Sequence, residues 1–424
     1  MKIGLLTWGS DGDIRPFCAL AGGLAARGHD VTLAVASVDN KDYSNLGQAM
    51  GFKVIPACRK YEYTQQQADE MVLRIIASRN LAMHFKILFD EMFKPAVDDL
   101  METSNTLCGQ NDLVIGHIAV YPLFIAAEKH GLPCVTVSPV PSFFKTAFEP
   151  PEGLPNLGQW LNPILWKLGE MAGGWILKPP INKLREQNGL APLKSPIGNF
   201  WQSDRLNLIC ASPSIFQRCP DWKDNIQVTG FFDIPDSAER WEIPGDLLSF
   251  LDYGQPPVYL TFGSFTQFDI ERNVELMAAT ARLLGHRAII QAFWENVSQI
   301  PDIDDVYLLR KVPHHQIFPR CAAVVHHGGA GTTQSSLYCG CPSIVVAHAF
   351  DQFLWARKLQ QIGAGGRPLQ KRTVTPQALA AVIRQVVEDQ RMKQRAEQLG
   401  AAMKKENGVA TAVGLIERWM VTKK

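Results

Sequence analysis

Residues 321–341 read Cys321-Ala-Ala-Val-Val-His-His-Gly-Gly-Ala-Gly-Thr-Thr-Gln-Ser-Ser-Leu-Tyr-Cys-Gly-Cys341. The run Ala322 to Val325 has the composition of a buried strand. It breaks on His326, His327, Gly328 and Gly329, and Gly331, Thr332 and Thr333 open a short helix that reaches Tyr338. Gly340 stops that helix, and Pro342 to Val346 is the next strand. A glycine-rich strand-to-helix turn aims bare backbone N–H groups and a helix N-terminus at one point, and both favour an anion, phosphate above all. Gly328, Gly329 and Gly331 let the backbone come close. Thr332 and Thr333 are placed to cap the helix and to donate hydroxyl hydrogen bonds. His327 adds a donor that can carry charge near neutral pH. Glycines and a threonine cap suit any such turn. The string is neither the dinucleotide fingerprint nor the P-loop.

Outward from the turn, the same alternation of elements continues in both directions. Strands are expected at 257–262, 287–293, 305–310 and 342–347, with helices at 269–285, from about 351 to 362, and from about 376. The N-terminal half opens on a βαβ pattern: strand 2–8, turn Gly9 to Asp13, a helix from Ile14 stopped at Gly28, and strand 30–36. Short strands follow at 52–57, 112–117, 133–138, 206–211 and 226–230, and residues 66–103 are mainly helical. Alternation of this kind predicts parallel sheets with right-handed crossovers. From Val140 to Phe200 the pattern loosens into proline, glycine and large apolar residues, which fit either an acceptor pocket or lid, or irregular helices packed on the sheet. The expected division is an N-terminal domain over 1–231, a linker over 232–255 and a C-terminal domain over 256–408. A last helix, 409–424, is expected to return to the first domain.

The totals narrow the function. Among 424 residues, 46% are hydrophobic and 20% charged, ordinary for a globular chain of two domains. A net charge of +1 without a long basic run argues against nucleic acid as a partner. Nine scattered cysteines without zinc spacing read as reduced thiols in a cytoplasmic protein. The N-terminus enters a strand directly, unlike a signal peptide. No apolar run approaches the roughly 20 residues of a membrane span, which leaves a peripheral membrane contact open.

The turn at 326–333, the stretch Val312-Pro313-His314 to Ile317-Phe318-Pro319 before it, and Asp351-Gln352 with Trp355 after it together resemble the UDP-glycosyltransferase superfamily. The resemblance is to its sterol-glucosyltransferase-like and bacterial antibiotic-glycosyltransferase-like branch. It implies an α/β protein of the glycosyltransferase-B fold, with two doubly wound Rossmann-like domains facing a cleft. By the same resemblance, the diphosphate of a nucleotide sugar meets Gly263, Ser264, His327, Gly328, Gly329, Gly331, Thr332 and Thr333. The base meets Val312 and Pro313, where Lys311 replaces a tryptophan of many plant members, and sugar hydroxyls meet Asp351 and Gln352. The latter pair also fits a helix cap and its neighbour.

Glycosyl transfer further needs a base for the acceptor hydroxyl. Gly9-Ser10-Asp11-Gly12-Asp13-Ile14-Arg15-Pro16 resembles the family's G-S-R-G-D-V-x-P, whose aspartate is the proposed base. From local sequence alone Asp13 is a helix N-cap; the resemblance assigns it the base role, with Asp11 as a competitor. Ser10, His117, Phe143, Phe144 and Trp166 are candidate acceptor contacts. The implied reaction is an inverting transfer of a hexose, glucose from UDP-glucose first among candidates, to a lipophilic alcohol such as a sterol, terpenoid or polyketide. It requires no metal and no cofactor beyond the nucleotide sugar as co-substrate. A dTDP-deoxysugar transferase for an antibiotic aglycone and a non-catalytic nucleotide-sugar-binding subunit are the alternatives. The acceptor and the oligomeric state stay open.

Overall fold

The computed structural model describes residues 1–78, 81–194, 202–235, 238, 241–263, 268–292, 303–310 and 312–421. The chain forms two units, one of Met1–Glu62, Ala82–Ala238 and Glu406–Lys424, the other of Tyr63–Leu81 and Glu239–Lys405.

The first unit is built on seven parallel strands: β1 (Lys2–Gly9), β2 (Asp30–Ser37), β3 (Lys53–Pro56), β4 (Leu113–His117), β5 (Cys134–Ser138), β6 (Leu206–Ile209) and β7 (Ile226–Val228). Their order is β3-β2-β1-β4-β5-β6-β7. A parallel sheet needs both faces covered, which is why β1 is buried from Ile3 to Gly9 rather than alternating. Ile14, Phe17 and Leu20 of the Asp11–Ala26 helix pack against Ile3, Leu5 and Leu33 in one core cluster. Ala412, Val413 and Ile416 of the final helix, Gly408–Val421, join that cluster. Each of these valine, leucine, isoleucine and phenylalanine side chains contributes about 1.5–3 kcal/mol by its burial. A Cβ on Gly23 would lie 2.3 Å from Val409 Cγ1, so a bare backbone lets the two helices meet. Arg27 and Glu417 add a two-pronged ion pair at 2.9 and 3.2 Å.

The stretch expected to be irregular after Val140 contains a 26-residue helix, Asn162–Gln187, with Pro179 and Pro180 inside it. Two prolines and three glycines obscure its period in the sequence, and tertiary anchors hold it. Buried Asn162 donates to the carbonyl of Ala147 (3.0 Å) at one end. At the other, Ile181 and Leu184 are buried and the Arg185 guanidinium grips Glu128 at 2.6 and 2.9 Å.

The second unit has six parallel strands: β8 (Val258–Leu260), β9 (Ala288–Gln291), β10 (Val306–Leu309), β11 (Ala323–His326), β12 (Ser343–Ala347) and β13 (Leu369–Gln370). They are ordered β10-β9-β8-β11-β12-β13. Within the stretch read as linker, Gly245–Asp252 is helical, and its Leu247 and Leu251 are buried with Tyr259, Ile317 and Phe318. Both sheets reverse direction of growth at their first strand, between β1 and β4 and between β8 and β11. In open parallel sheets ligands bind beyond the strand C-termini at such reversals.

Candidate active site

In the first unit, the reversal is flanked by the ends of β1 and β4, which carry Gly9-Ser10 and His117. Asp13 lies in the first turn of the following helix, and its Oδ2 accepts the Ser10 amide at 3.0 Å. This bond leaves Oδ1 facing His117, whose Nε2 is 3.6 Å away. Gly9 makes room: its φ is 135°, and a Cβ there would lie 2.3 Å from Asp13 Oδ2. His117 is buried, its Nδ1 accepts the Ala119 amide at 3.3 Å, and desolvation pushes its pKa down to about 4. Asp11 points elsewhere, to Lys41 Nζ at 2.5 Å and Tyr43 Oη at 2.7 Å.

Of the candidate acceptor contacts, Ser10 and His117 are at this point. Phe143 is half-buried, 6.5 Å between centroids from Phe85. Phe144 is only 1% exposed and packs edge-on to Trp222 (6.0 Å), so it is core rather than a pocket wall. Trp166 is on the long helix, with its indole tied to the Glu149 carbonyl at 2.9 Å.

An aromatic group that sequence reading passed over sits at the same strand ends. Trp8, at the end of β1, meets Phe93 at 5.1 Å, and Phe93 meets Tyr121 at 5.3 Å and Phe89 at 5.8 Å. Phe89–Phe93 is a π-helical turn, a local widening that often marks functional sites. The available signal was position: Trp8 immediately precedes the Gly9 turn, and Tyr121 opens the helix after β4.

In the second unit, the reversal is flanked by Gly263 and by the turn after β11. The His327 ring lies between two bare backbones. A Cβ on Gly263 (φ 56°) would come within 2.6 Å of its Cε1, and one on Gly329 within 2.5 Å of its Nε2. Residues 64 positions apart in the chain thus meet, for a reason no local pattern shows. Ser264 and Lys311 lie outside the described residues.

Three details revise the expected chemistry of the turn. Gly329, not a threonine, is the N-cap of the Ala330–Tyr338 helix, because the helix begins two residues before Thr332. The Thr333 hydroxyl is buried and donates to the Gly329 carbonyl at 2.9 Å, so it is spent within the helix. Burial also pushes His327 down to about 4, so the imidazole donates as a neutral group at pH 7.

The amides of Gly263 and Gly328 are engaged by Thr261 Oγ1 and His326 Nδ1, each at 3.0 Å. The donors left for an anion are those of Gly329, Ala330, Gly331 and Thr332, the four amides that helix geometry leaves without an intrahelical partner. A Cβ on Gly331 would meet nothing within 4 Å, so the approach to these amides is open.

Beyond β12, Asp351 and Gln352 sit at the start of the Gln352–Gln361 helix. Gln352 Oε1 accepts the amides of His348 (2.7 Å) and Ala349 (3.1 Å), which ties the turn and leaves the NH₂ group as donor. Trp355 donates to Asp351 Oδ2 at 3.1 Å, and desolvation outweighs that bond, raising the Asp351 pKa to about 6. Just before them Phe350 holds φ 53°, a left-handed conformation that costs a side-chain residue energy and tends to occur at binding sites. Val312 is buried in the second unit's core, and Pro313 caps a short helix, His314–Ile317. Either residue can therefore meet a base only through its backbone or a partly exposed edge.

Residues 275–414 match the family described as Erythromycin biosynthesis protein CIII-like, C-terminal domain. Over its whole length the chain is 31% identical to an O-mycaminosyltylonolide 6-deoxyallosyltransferase of Streptomyces fradiae, covering 98% of it. The chain is a member of the UDP-glycosyltransferase superfamily. A sterol 3-beta-glucosyltransferase of Arabidopsis thaliana is 25% identical over 99% of the chain, which covers 68% of that protein. The solved structure of glycosyltransferase VinC in complex with dTDP superposes with a TM-score of 0.65 over 100% of both chains at 20% identity, and so shares the fold. This superfamily member accordingly has the glycosyltransferase-B architecture and is a nucleotide-sugar-dependent glycosyltransferase.

Proposed function

We propose that this enzyme transfers a hexose, with inversion, from a nucleoside diphosphate sugar to a hydroxyl of a lipophilic acceptor. UDP-glucose is the first donor to test, and sterols, terpenoids and polyketides are the first acceptors. The observation that carries the reading is the fixed carboxylate of Asp13, held by Ser10 with His117 Nε2 3.6 Å from its other oxygen. Asp13 takes the acceptor proton as the acceptor oxygen bonds the anomeric carbon and the bond to the diphosphate breaks. A single displacement of this kind inverts the anomeric centre. General-base help of this sort typically contributes ~10²–10⁴-fold.

Departing charge is met by the amides of Ala330, Gly331 and Thr332, the helix N-terminus behind them, and His327. Asp351 and the Gln352 NH₂ read sugar hydroxyls, one accepting and one donating. The backbone at Val312 and Pro313 meets the base. Half-buried Phe89, backed by the buried rings of Phe93, Tyr121 and Trp8, supplies an apolar wall for the acceptor. Among the described residues, no three His, Cys, Asp or Glu side chains converge as a metal site, and the proposed step uses none.

A second reading has one specific support. The relative from Streptomyces fradiae is a 6-deoxyallosyltransferase, which favours a deoxysugar over glucose and so the dTDP-deoxysugar alternative. Mass spectrometry of transfer reactions with UDP-glucose and dTDP-sugars, against a panel of sterol and polyketide alcohols, separates the two. Transfer from UDP-glucose alone supports the first reading, and transfer from dTDP-sugars alone supports the second. No transfer and no donor-dependent nucleotide release from either would refute both.

A further inference from the structure

The long helix Asn162–Gln187 presents an unusual face. Ile164, Leu168, Met171 and Trp175 recur at helical spacing and are 53%, 55%, 55% and 83% exposed. Trp160, in the turn just before the helix, is 84% exposed. At 100° per residue the four helical positions fall within a narrow arc, so they form one continuous stripe. From Trp160 to Trp175 it runs about 22 Å. Soluble proteins rarely leave such a row in water without a partner. The row is also held firmly, by Asn162 at one end and by Ile181, Leu184 and Arg185 at the other.

We propose that this face docks on the surface of an anionic lipid bilayer. Three features select that occupant. Tryptophans stand at both ends of the stripe, and indole rings prefer the level of lipid headgroups. Lys167 and Lys178 are exposed along its edge. Between Gly153 and Lys183 the sole acidic residue, Glu170, is paired with Lys145. An apolar stripe edged by cations without free anions is the pattern of a helix lying in an anionic interface. A second copy of the chain fits less well, because a two-fold contact would set one lysine-edged face against another with no unpaired acid between Gly153 and Lys183 to meet the lysines. No helix among the described residues is long and apolar enough to cross a membrane, so the contact is peripheral. On the acceptor class proposed above, such a surface would also hold the substrate, but the docking itself does not depend on that reading.

Co-sedimentation of the full chain with vesicles tests it, in the absence of donor and acceptor so that catalysis plays no part. The chain should bind vesicles of phosphatidylcholine mixed with phosphatidylglycerol, and less tightly as salt rises. Trp160→Ala with Trp175→Ala should weaken binding by roughly tenfold or more. Lys167→Glu with Lys178→Glu should weaken binding to the mixed vesicles and spare the residual binding to phosphatidylcholine alone. All four positions are exposed, so thermal unfolding should not change, and a melting curve checks this. The proposal is overturned if the parent binds neither vesicle, or if the folded double-tryptophan variant binds as the parent does. It is also overturned if light scattering shows a parent dimer that this variant dissociates, since the face would then belong to a second copy.

Discussion

His117 Nε2 stands 3.6 Å from Asp13 Oδ1, while His117 Nδ1 accepts a hydrogen bond from the Ala119 amide. An imidazole nitrogen that accepts an N–H is unprotonated, so the proton of the neutral ring is on Nε2 and faces the carboxylate. The ring has no second lone pair to offer as a base, and burial holds its pKa near 4. Proton removal from an acceptor therefore falls to Asp13, with His117 as a positioning residue.

Asp13→Asn keeps the size of the side chain and an oxygen able to accept the Ser10 amide, so stability and UDP binding should stay near the parent's. Turnover at saturating donor should fall at least about a hundredfold. Asp11→Asn should cost turnover little, since Asp11 is bonded to Lys41 and Tyr43. Steady-state kinetics of both variants decides. An Asp13→Asn enzyme within a few-fold of the parent would remove the base assignment.

Gly331→Ala separates a ligand cradle from a packing glycine. An added methyl meets nothing within 4 Å, and alanine is the better helix former, so stability should hold or rise by up to about 1 kcal/mol. The methyl would occupy the open approach to the Ala330–Thr332 amides. UDP affinity by calorimetry should fall about tenfold or more, the equivalent of at least one hydrogen bond to a charged group. Unchanged affinity would mean that the diphosphate binds elsewhere.

Asp351 has its pKa raised to about 6 by burial, so it is protonated below that pH and ionised above it. Only the ionised form is a full acceptor for sugar hydroxyls. The donor kcat/KM should therefore drop as pH falls through about 6. Asp351→Asn should lower the plateau and flatten that limb, and plain UDP should bind it nearly as well as the parent. A pH profile of the variant that keeps the limb assigns it to another group.

Stability should fall on the acid side for a related reason. His117 and His327 are buried neutral, with pKa values near 4 against about 6.5 in an unfolded chain. A depressed pKa means that the unfolded state binds the extra proton, so the stability is fully present above about pH 6.5 and is lost as pH falls toward 4. At pH 5 the loss is about 2 kcal/mol for each histidine. Urea unfolding at pH 7 and pH 5 measures it, and His117→Gln should show the smaller difference.

The order of elements is legible in the sequence because strands, turns and helices are written in local period and turn chemistry. Gly9 to Asp13, the 326–333 turn and Asp351-Gln352 stand out in the sequence itself, since each joins a strand end to a helix start. Local signals failed where packing overrode them. Thr333 carries a capping residue's chemistry but lies one turn inside a helix that Gly329 caps. Phe144 has the character of a pocket wall and is core. The 26-residue helix is hidden by its own prolines and glycines. What the tertiary structure alone decided is which strand ends adjoin. The order β3-β2-β1-β4 sets Asp13 beside His117, and β9-β8-β11 sets Gly263 against His327. Those pairs are separated by 104 and 64 positions in the chain. No local pattern links them, because strand order is chosen by burying both faces of a whole sheet at once.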